Sequence, residues 1–189
     1  MFEPCLKVKE WLGSYPCKWM IAGGWAIDLH IGEETREHDD IEVVIFREDQ
    51  YYLQDLLRGW EVKVAKNGKL VSWDLNNRID PPVHEIHAFL YEKGHIEFLL
   101  NENKHERWTF RRDSTISYPF SSMNLQSEQG IPYLNPEIVL LYKAKHSREK
   151  DQADFHYVFP YLNEHQKEWL KQALMHHQPK HPWLEKLLY

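Results

Sequence analysis

GGWAIDLHIGEETREHDDIEVVIF, from Gly23 to Phe46, is the stretch on which the reading of this chain turns. Two glycines precede a short helical segment, Trp25 to Ile31, which stops at Gly32. A polar loop, Glu33 to Asp39, leads into the clearest strand of the sequence, Asp40 to Phe46. Side chains alternate along a strand. Ile41, Val43 and Ile45 therefore share a wholly aliphatic face that belongs in a core. Asp40 and Glu42 lie side by side on the other face, and Asp39 falls on the wrong side for that pair or belongs to the loop.

The same pattern recurs downstream. In VHEIHAFLY, Ile86, Ala88 and Leu90 make one face, and Glu85, His87 and Phe89 the other. If both strands turn their aliphatic faces to one core, Glu85 comes to the side of Asp40 and Glu42. Glu97, in HIEFLL, also faces away from its aliphatic neighbours and competes for the third place. Converging carboxylates raise one another's pKa unless a cation sits among them. Mg²⁺, which takes oxygen ligands and substrate phosphates, suits such a group. The plainer alternative is a solvated sheet face with scattered acids. The glycine pair favours the site: backbone N–H groups at glycines and a helix N-terminus can cradle a phosphate. Zinc at His84 and His87 is disfavoured, because a strand sends the two imidazoles to opposite faces.

Other charged residues have structural readings beside functional ones. Lys143 is embedded in the apolar run IVLLYKAKH and needs a partner or a ligand. Asp151, Phe155, Val158 and Leu162 share one helix face, so Asp151 points inward, towards Lys143 or Arg148. Asp28 is placed to pair with Arg36, and Arg36 is itself a candidate phosphate contact. Arg111 and Arg112 are exposed by default, or serve an anionic ligand.

Composition narrows the class. The 189 residues are 42% hydrophobic and 28% charged, ordinary for a soluble globular chain. The formal charge of -6 argues against a nucleic-acid partner, which calls for a basic face. Two cysteines twelve apart, Cys5 and Cys17, make no disulfide framework. With no secretory h-region and no apolar run near the ~20 residues of a membrane span, a cytoplasmic protein is expected. The oligomeric state is not legible.

Helical spacing covers Met1 to Leu12 and Gln50 to Leu57. Hairpins are expected at Trp60–Ala65 with Leu70–Trp73, and at Val83–Tyr91 with His95–Leu100, with a further strand at Arg107–Arg111. Beyond Asn135-Pro136 the pattern turns helical, through PEIVLLYKAKH, SREKDQADFHYVFPYL and NEHQKEWLKQALMHH. The fold class is α+β: an N-terminal mixed sheet with flanking helices over residues 1–130, then a small helical segment over 131–189, with a cleft between.

These residues resemble the nucleotidyltransferase superfamily of DNA polymerase β type, and more narrowly its aminoglycoside and lincosamide adenylyltransferase branch. The signature is Gly23-Gly24, a short helix, and D-x-E at the strand start, with Thr35-Arg36-Glu37-His38-Asp39-Asp40 matching the branch's T-R-x-H-D-D. Glu85-Ile86-His87 matches its later D-x-H, with Glu for Asp. The tail IPYLNPEIVLLYKAKHSREKDQADF is similar to its helical region, where a lysine reaches the triphosphate. The resemblance implies transfer of AMP from Mg-ATP to a hydroxyl of a small molecule, such as an aminoglycoside- or lincosamide-like antibiotic. Asp40, Glu42 and Glu85 would be the catalytic and metal-binding carboxylates, for one or two Mg²⁺. Gly23, Gly24, Arg36 and Lys143 would bind the nucleotide. Glu42 and Glu85 depart from the more usual Asp, which keeps open a decayed nucleotide-binding or protein-interaction module of the same fold. Independently, Glu33, Glu34 and Glu37 beside the site favour a cationic acceptor.

Overall fold

Ile41, Val43 and Ile45 are buried, as their alternation requires. In this computed structural model, which describes residues 1–90, 94–146 and 148–188, they sit near the middle of an eight-stranded mixed sheet. In chain order the first elements are α1 (Glu3–Trp11), β1 (Trp19–Ile21), α2 (Gly23–Ile31), β2 (Ile41–Phe46), α3 (Leu53–Leu56), β3 (Glu61–Lys66), β4 (Lys69–Ser72), β5 (Glu85–Leu90) and β6 (Gly94–Asn101). Then come β7 (Asn103–Lys104), β8 (Arg107–Thr109), β9 (Ser117–Pro119), β10 (Asn124–Gln126) and β11 (Pro132–Leu134). Helices α4 (Pro136–Lys143), α5 (Glu149–Val158), α6 (Glu164–His177) and α7 (Trp183–Leu187) follow. No helix among the described residues is long and apolar enough to cross a membrane.

The strand order is β10-β11-β1-β2-β6-β5-β3-β4, and β7, β8 and β9 form a separate small sheet. β2 pairs with β6 in parallel, β1 with β11 in parallel, and the remaining neighbours are antiparallel. Ile86, Ala88, Ile96, Phe98 and Leu100 join the aliphatic side of β2 in the core. Register is thereby fixed, because a one-residue slip would turn the charged side inwards. Beyond Glu42 the opposite face is covered too: Val44 and Phe46 are buried, and Phe46 packs on Phe120.

Both expected hairpins form, though Tyr91, Glu92 and Lys93 of the second lie outside the described residues. The helix expected over Gln50 to Leu57 begins as the end of a 3₁₀ segment, Arg47–Tyr52, and is α-helical at Leu53–Leu56. The strand expected over Arg107 to Arg111 ends at Thr109. Strands β1, β7, β9, β10 and β11 were not expected. Each has two or three residues, too few for a period to show. β11 extends the large sheet to Leu134, and Pro136 at a first helical position opens the helical segment.

A buried arginine ties the end of β2 to the start of β5. Arg47 is 3% exposed. Its guanidinium donates to Glu102 at 2.5 Å, to the carbonyls of Ile79 and Val83 at 2.9 Å each, and to His84 Nδ1 at 2.7 Å. Arg47→Leu would strand these acceptors together. It should cost about 3–5 kcal/mol in urea unfolding, whereas Glu102→Gln, at a partly exposed partner, should cost about 1 kcal/mol.

Candidate active site

The β2–β6 register sets Glu42 directly beside Glu97, and the β5–β6 register sets His87 on the other side of Glu97. Asp40 stands one two-residue step before Glu42 on the same face and is exposed. Glu85 lies across from Leu99, one step along. Ligand atoms of Glu85, His87 and Glu97 come within 4.8 Å of one another. Of the expected carboxylates only Glu85 belongs to that group; Glu42 adjoins it through the β2–β6 register, and Asp40 precedes β2.

The crowding shows in the acids themselves. Burial, then the charges of Glu42, Glu85 and Asp40, push Glu97 up to about 8. Burial also raises Glu42, aided by Asp40 and Glu85 and opposed by Lys143. Acids this close, with Glu42 and Glu97 both raised, make a donor set suited to a hard divalent cation.

The glycine pair meets this row. Gly23 has φ +60, and a Cβ there would fall 1.6 Å from Glu42 Oε2. Only glycine admits both that backbone and that neighbour. Gly24 is covered from the other side by Arg36 and His38, each within 2.5 Å of where its Cβ would stand. The loop between α2 and β2 is tied back to the helix. Asp28, fully buried, accepts from Thr35 Oγ1 at 2.6 Å and pairs with His38 at 2.6 Å. Trp25 lies over His38 with ring centres 4.3 Å apart, and its indole N–H donates to the Asp40 carbonyl at 3.1 Å. The expected Asp28–Arg36 pair does not form. Arg36 turns instead to Asp154 of α5, at 2.8 and 3.0 Å.

A cavity of about 220 Å³ lies between the row and the helical segment. Gly23, Glu42, Glu85 and Glu97 line one side, and Arg111, Arg112, Lys143 and Arg148 face them. Lys143 is held by Asp154 at 2.8 Å and Asp151 at 3.3 Å, and Arg148 by Asp151 at 2.9 Å. Asp151 therefore points inward and meets both expected partners. Arg111 reaches Glu85 at 3.9 Å. His84 also lines the cavity, and sequence reasoning gave it no role. Because a guanidinium only donates, its Nδ1 must accept from Arg47, so its proton sits on Nε2. Burial, with Arg111 and Arg47 nearby, holds His84 down at about 4, which keeps it neutral.

A mixed sheet with a glycine pair, a carboxylate row and a helical wall of cations defines a nucleotidyltransferase fold, and the solved structures agree. The lincosamide antibiotic adenylyltransferase LnuA with lincomycin bound superposes with a TM-score of 0.61 at 17% identity, over 85% of this chain and 98% of that one. The complex of ANT(2'')-Ia with adenylyl-2''-tobramycin gives 0.63 at 15% identity, over 90% and 95%. A solution structure of ANT(2'')-Ia gives 0.63 at 15%, over 96% and 92%. No curated protein sequence matches. The family model described as aminoglycoside-2''-adenylyltransferase matches residues 5–157, and the chain belongs to that family. It is a nucleotidyltransferase enzyme, with AMP transfer to a small-molecule hydroxyl as its family reaction.

Gly23→Ala should therefore displace Glu42 without unfolding the sheet. Metal-dependent ATP binding, measured by calorimetry, should weaken at least about tenfold, and the thermal midpoint should fall by a few degrees, about 1–2 kcal/mol of strain at the positive φ.

Proposed function

We propose that this protein transfers AMP from Mg-ATP to the hydroxyl of a small antibiotic-like acceptor, with Asp40, Glu42 and Glu97 as the central carboxylates. The observation that carries this reading is the side-by-side register of Glu42 and Glu97 under a wall of cations. The expected third carboxylate, Glu85, lies one step farther along, 3.9 Å from Arg111, and shares with His87 and Glu97 the group whose ligand atoms lie within 4.8 Å of one another. The donor set fits Mg²⁺, as one ion or two, held by Asp40, Glu42 and Glu97. Bound there, the metal would lower the pKa of the acceptor hydroxyl and offset charge on the triphosphate.

The chain's own groups supply the rest. Backbone N–H groups at Gly23 and Gly24, at the start of α2, face the phosphates. Lys143 and Arg148, anchored by Asp151, steady them from the helical segment that α4 opens. Arg36, committed to Asp154, acts by positioning α5. The acceptor oxygen attacks the α-phosphorus, the bond to the bridging oxygen breaks, and pyrophosphate leaves with its electron pair. The hydroxyl proton passes to Glu85, the carboxylate beside Glu97 that is not committed to the metal. A decayed binding module finds no support in a site that keeps its row, its glycines and its cations.

The test follows labelled AMP from ATP with Mg²⁺ onto lincomycin, tobramycin and simple aminocyclitols, with tRNA and protein as alternative acceptors. Labelling of a small hydroxyl compound is expected, and labelling of tRNA alone would refute the reading. Asp40→Asn and Glu97→Gln should each reduce transfer by more than about a hundredfold.

The pH dependence has a definite sign. Glu97 is pushed up to about 8 in the metal-free protein, so below that pH a bound metal must displace its proton. Metal affinity should rise with pH up to about 8, with proton release visible as a buffer-dependent calorimetric enthalpy, and Glu97→Gln should flatten the slope.

A further inference from the structure

Glu97 has two neighbours across the sheet: Glu42 on β2 and His87 on β5. The β2 side belongs to the nucleotide cavity. The β5 side holds a different set of donors. Glu85 stands two residues before His87, and His95 two residues before Glu97, so alternation puts all four on one face of the β5–β6 pair. Ligand atoms of Glu85, His87 and Glu97 lie within 4.8 Å of one another. His87 Nδ1 is 4.0 Å from Glu97 Oε2 and 3.1 Å from His95 Nε2. Donor atoms around a four-coordinate zinc stand about 3.3 Å apart, given bonds of about 2.0–2.1 Å. The two imidazoles already have that spacing, and the carboxylates are close to it. The rings are also held in place. His95 stacks on Phe89 with centres 4.4 Å apart, and on His87 at 5.3 Å. A hydrogen bond between two imidazoles requires a lone pair on one of them, the form that binds a metal.

We propose that Glu85, His87 and Glu97, with His95 as a fourth donor, form a Zn²⁺ site that shares Glu97 with the Mg²⁺ site, and that zinc bound there inhibits transfer. The inhibition rests on the nucleotidyl-transfer reading above, and the binding does not. The imidazoles decide the metal. Mg²⁺ takes oxygen ligands and keeps several waters, whereas imidazole nitrogens together with carboxylates suit zinc. Charge calls for an ion at this place. The His87 and Glu97 side chains are only 13% and 15% exposed. Among the described residues, Arg111 is the one Lys or Arg paired with Glu85 or Glu97, and at 3.9 Å from Glu85 it is beyond hydrogen-bond reach. Two neighbouring carboxylates with so little compensation favour a divalent cation. Zinc would occupy Glu85, which accepts the hydroxyl proton, and Glu97, which holds the metal of the nucleotide. One ion would thus take two groups that the transfer needs.

Calorimetric titration of the full chain with zinc chloride, without nucleotide, tests the site apart from turnover. A Kd below about 100 μM is expected. His87→Ala should raise it at least about thirtyfold and His95→Gln about tenfold, while MgATP affinity stays unchanged in both, with folding checked by circular dichroism. In the transfer assay at saturating MgATP, added zinc should inhibit the wild type, and His87→Ala should need at least about thirtyfold more zinc for the same inhibition. Zinc binding weaker than about 100 μM, a zinc Kd unaltered in either folded variant, or equal zinc inhibition of wild type and variant would overturn the proposal. Zinc binding that both variants weaken, with no AMP transfer to any acceptor, would refute the transfer reading and uphold the zinc site.

Discussion

Glu42 and Glu97 are held side by side on neighbouring parallel strands, and like charges so placed repel. Nothing local favours the pairing. It is enforced from the back of the sheet, where Ile41, Val43, Ile96 and Phe98 are buried in one core. Sliding either strand by one residue would relieve the acids and expose that aliphatic face. Burial of a few branched side chains, each worth about 1.5–3 kcal/mol, outweighs the repulsion between two partly solvated carboxylates. The hydrophobic pattern of two strands thus sets the electrostatics of the site, and everything opposite it answers to that negative row.

The answer comes from the helical segment. Lys143 and Arg148 face the row, and neither is left free to collapse onto it, because Asp151 and Asp154 hold them from behind. Burial works against ionisation of both aspartates, but hydrogen bonds and charge from Arg148, Lys143 and Arg36 keep them below the usual carboxylate range. Asp154 also takes Arg36, which reaches it from the loop after α2. Charges therefore alternate from the row through the cations to the aspartates and back to Arg36. The chain of ion pairs sets the width of the cleft while leaving the face between Glu42 and Lys143 open to a ligand.

The sequence carried the chemistry of this site better than its membership. Alternation in DIEVVIF and VHEIHAFLY placed Asp40, Glu42 and Glu85 on one face; the sheet holds Glu42 and Glu85, while Asp40 lies just before β2. Which acid stands beside Glu42 depends on a parallel pairing between strands about fifty residues apart, and no local pattern encodes that register. His87 was weighed with His84 as a zinc pair and in the Glu85-Ile86-His87 match, although its neighbour on the sheet, Glu97, lies across a hairpin. Arg36 was matched to the nearest buried acid, Asp28, when that acid was already taken by Thr35 and His38. Local competition for hydrogen bonds decided the partner. The strands that escaped notice are the shortest, and tertiary pairing alone makes them strands.

The substitution of Glu for Asp in the row now has a physical counterpart. A glutamate carries its carboxylate about 1.5 Å farther from the backbone than an aspartate. At position 42 that extra reach brings Oε2 into the space that a side chain at Gly23 would fill. Glycine there is thus demanded twice, by its positive φ and by the length of Glu42. The partner across the strand pair is also a glutamate, so Glu42 and Glu97 lengthen together, and a cation shared between them would move outward from the sheet rather than lose one ligand. Asp40 keeps the shorter chain, but it precedes the strand, in a loop whose position is set by Trp25 and His38 rather than by strand pleating. That loop can supply the outward displacement that an aspartate fixed on the strand could not.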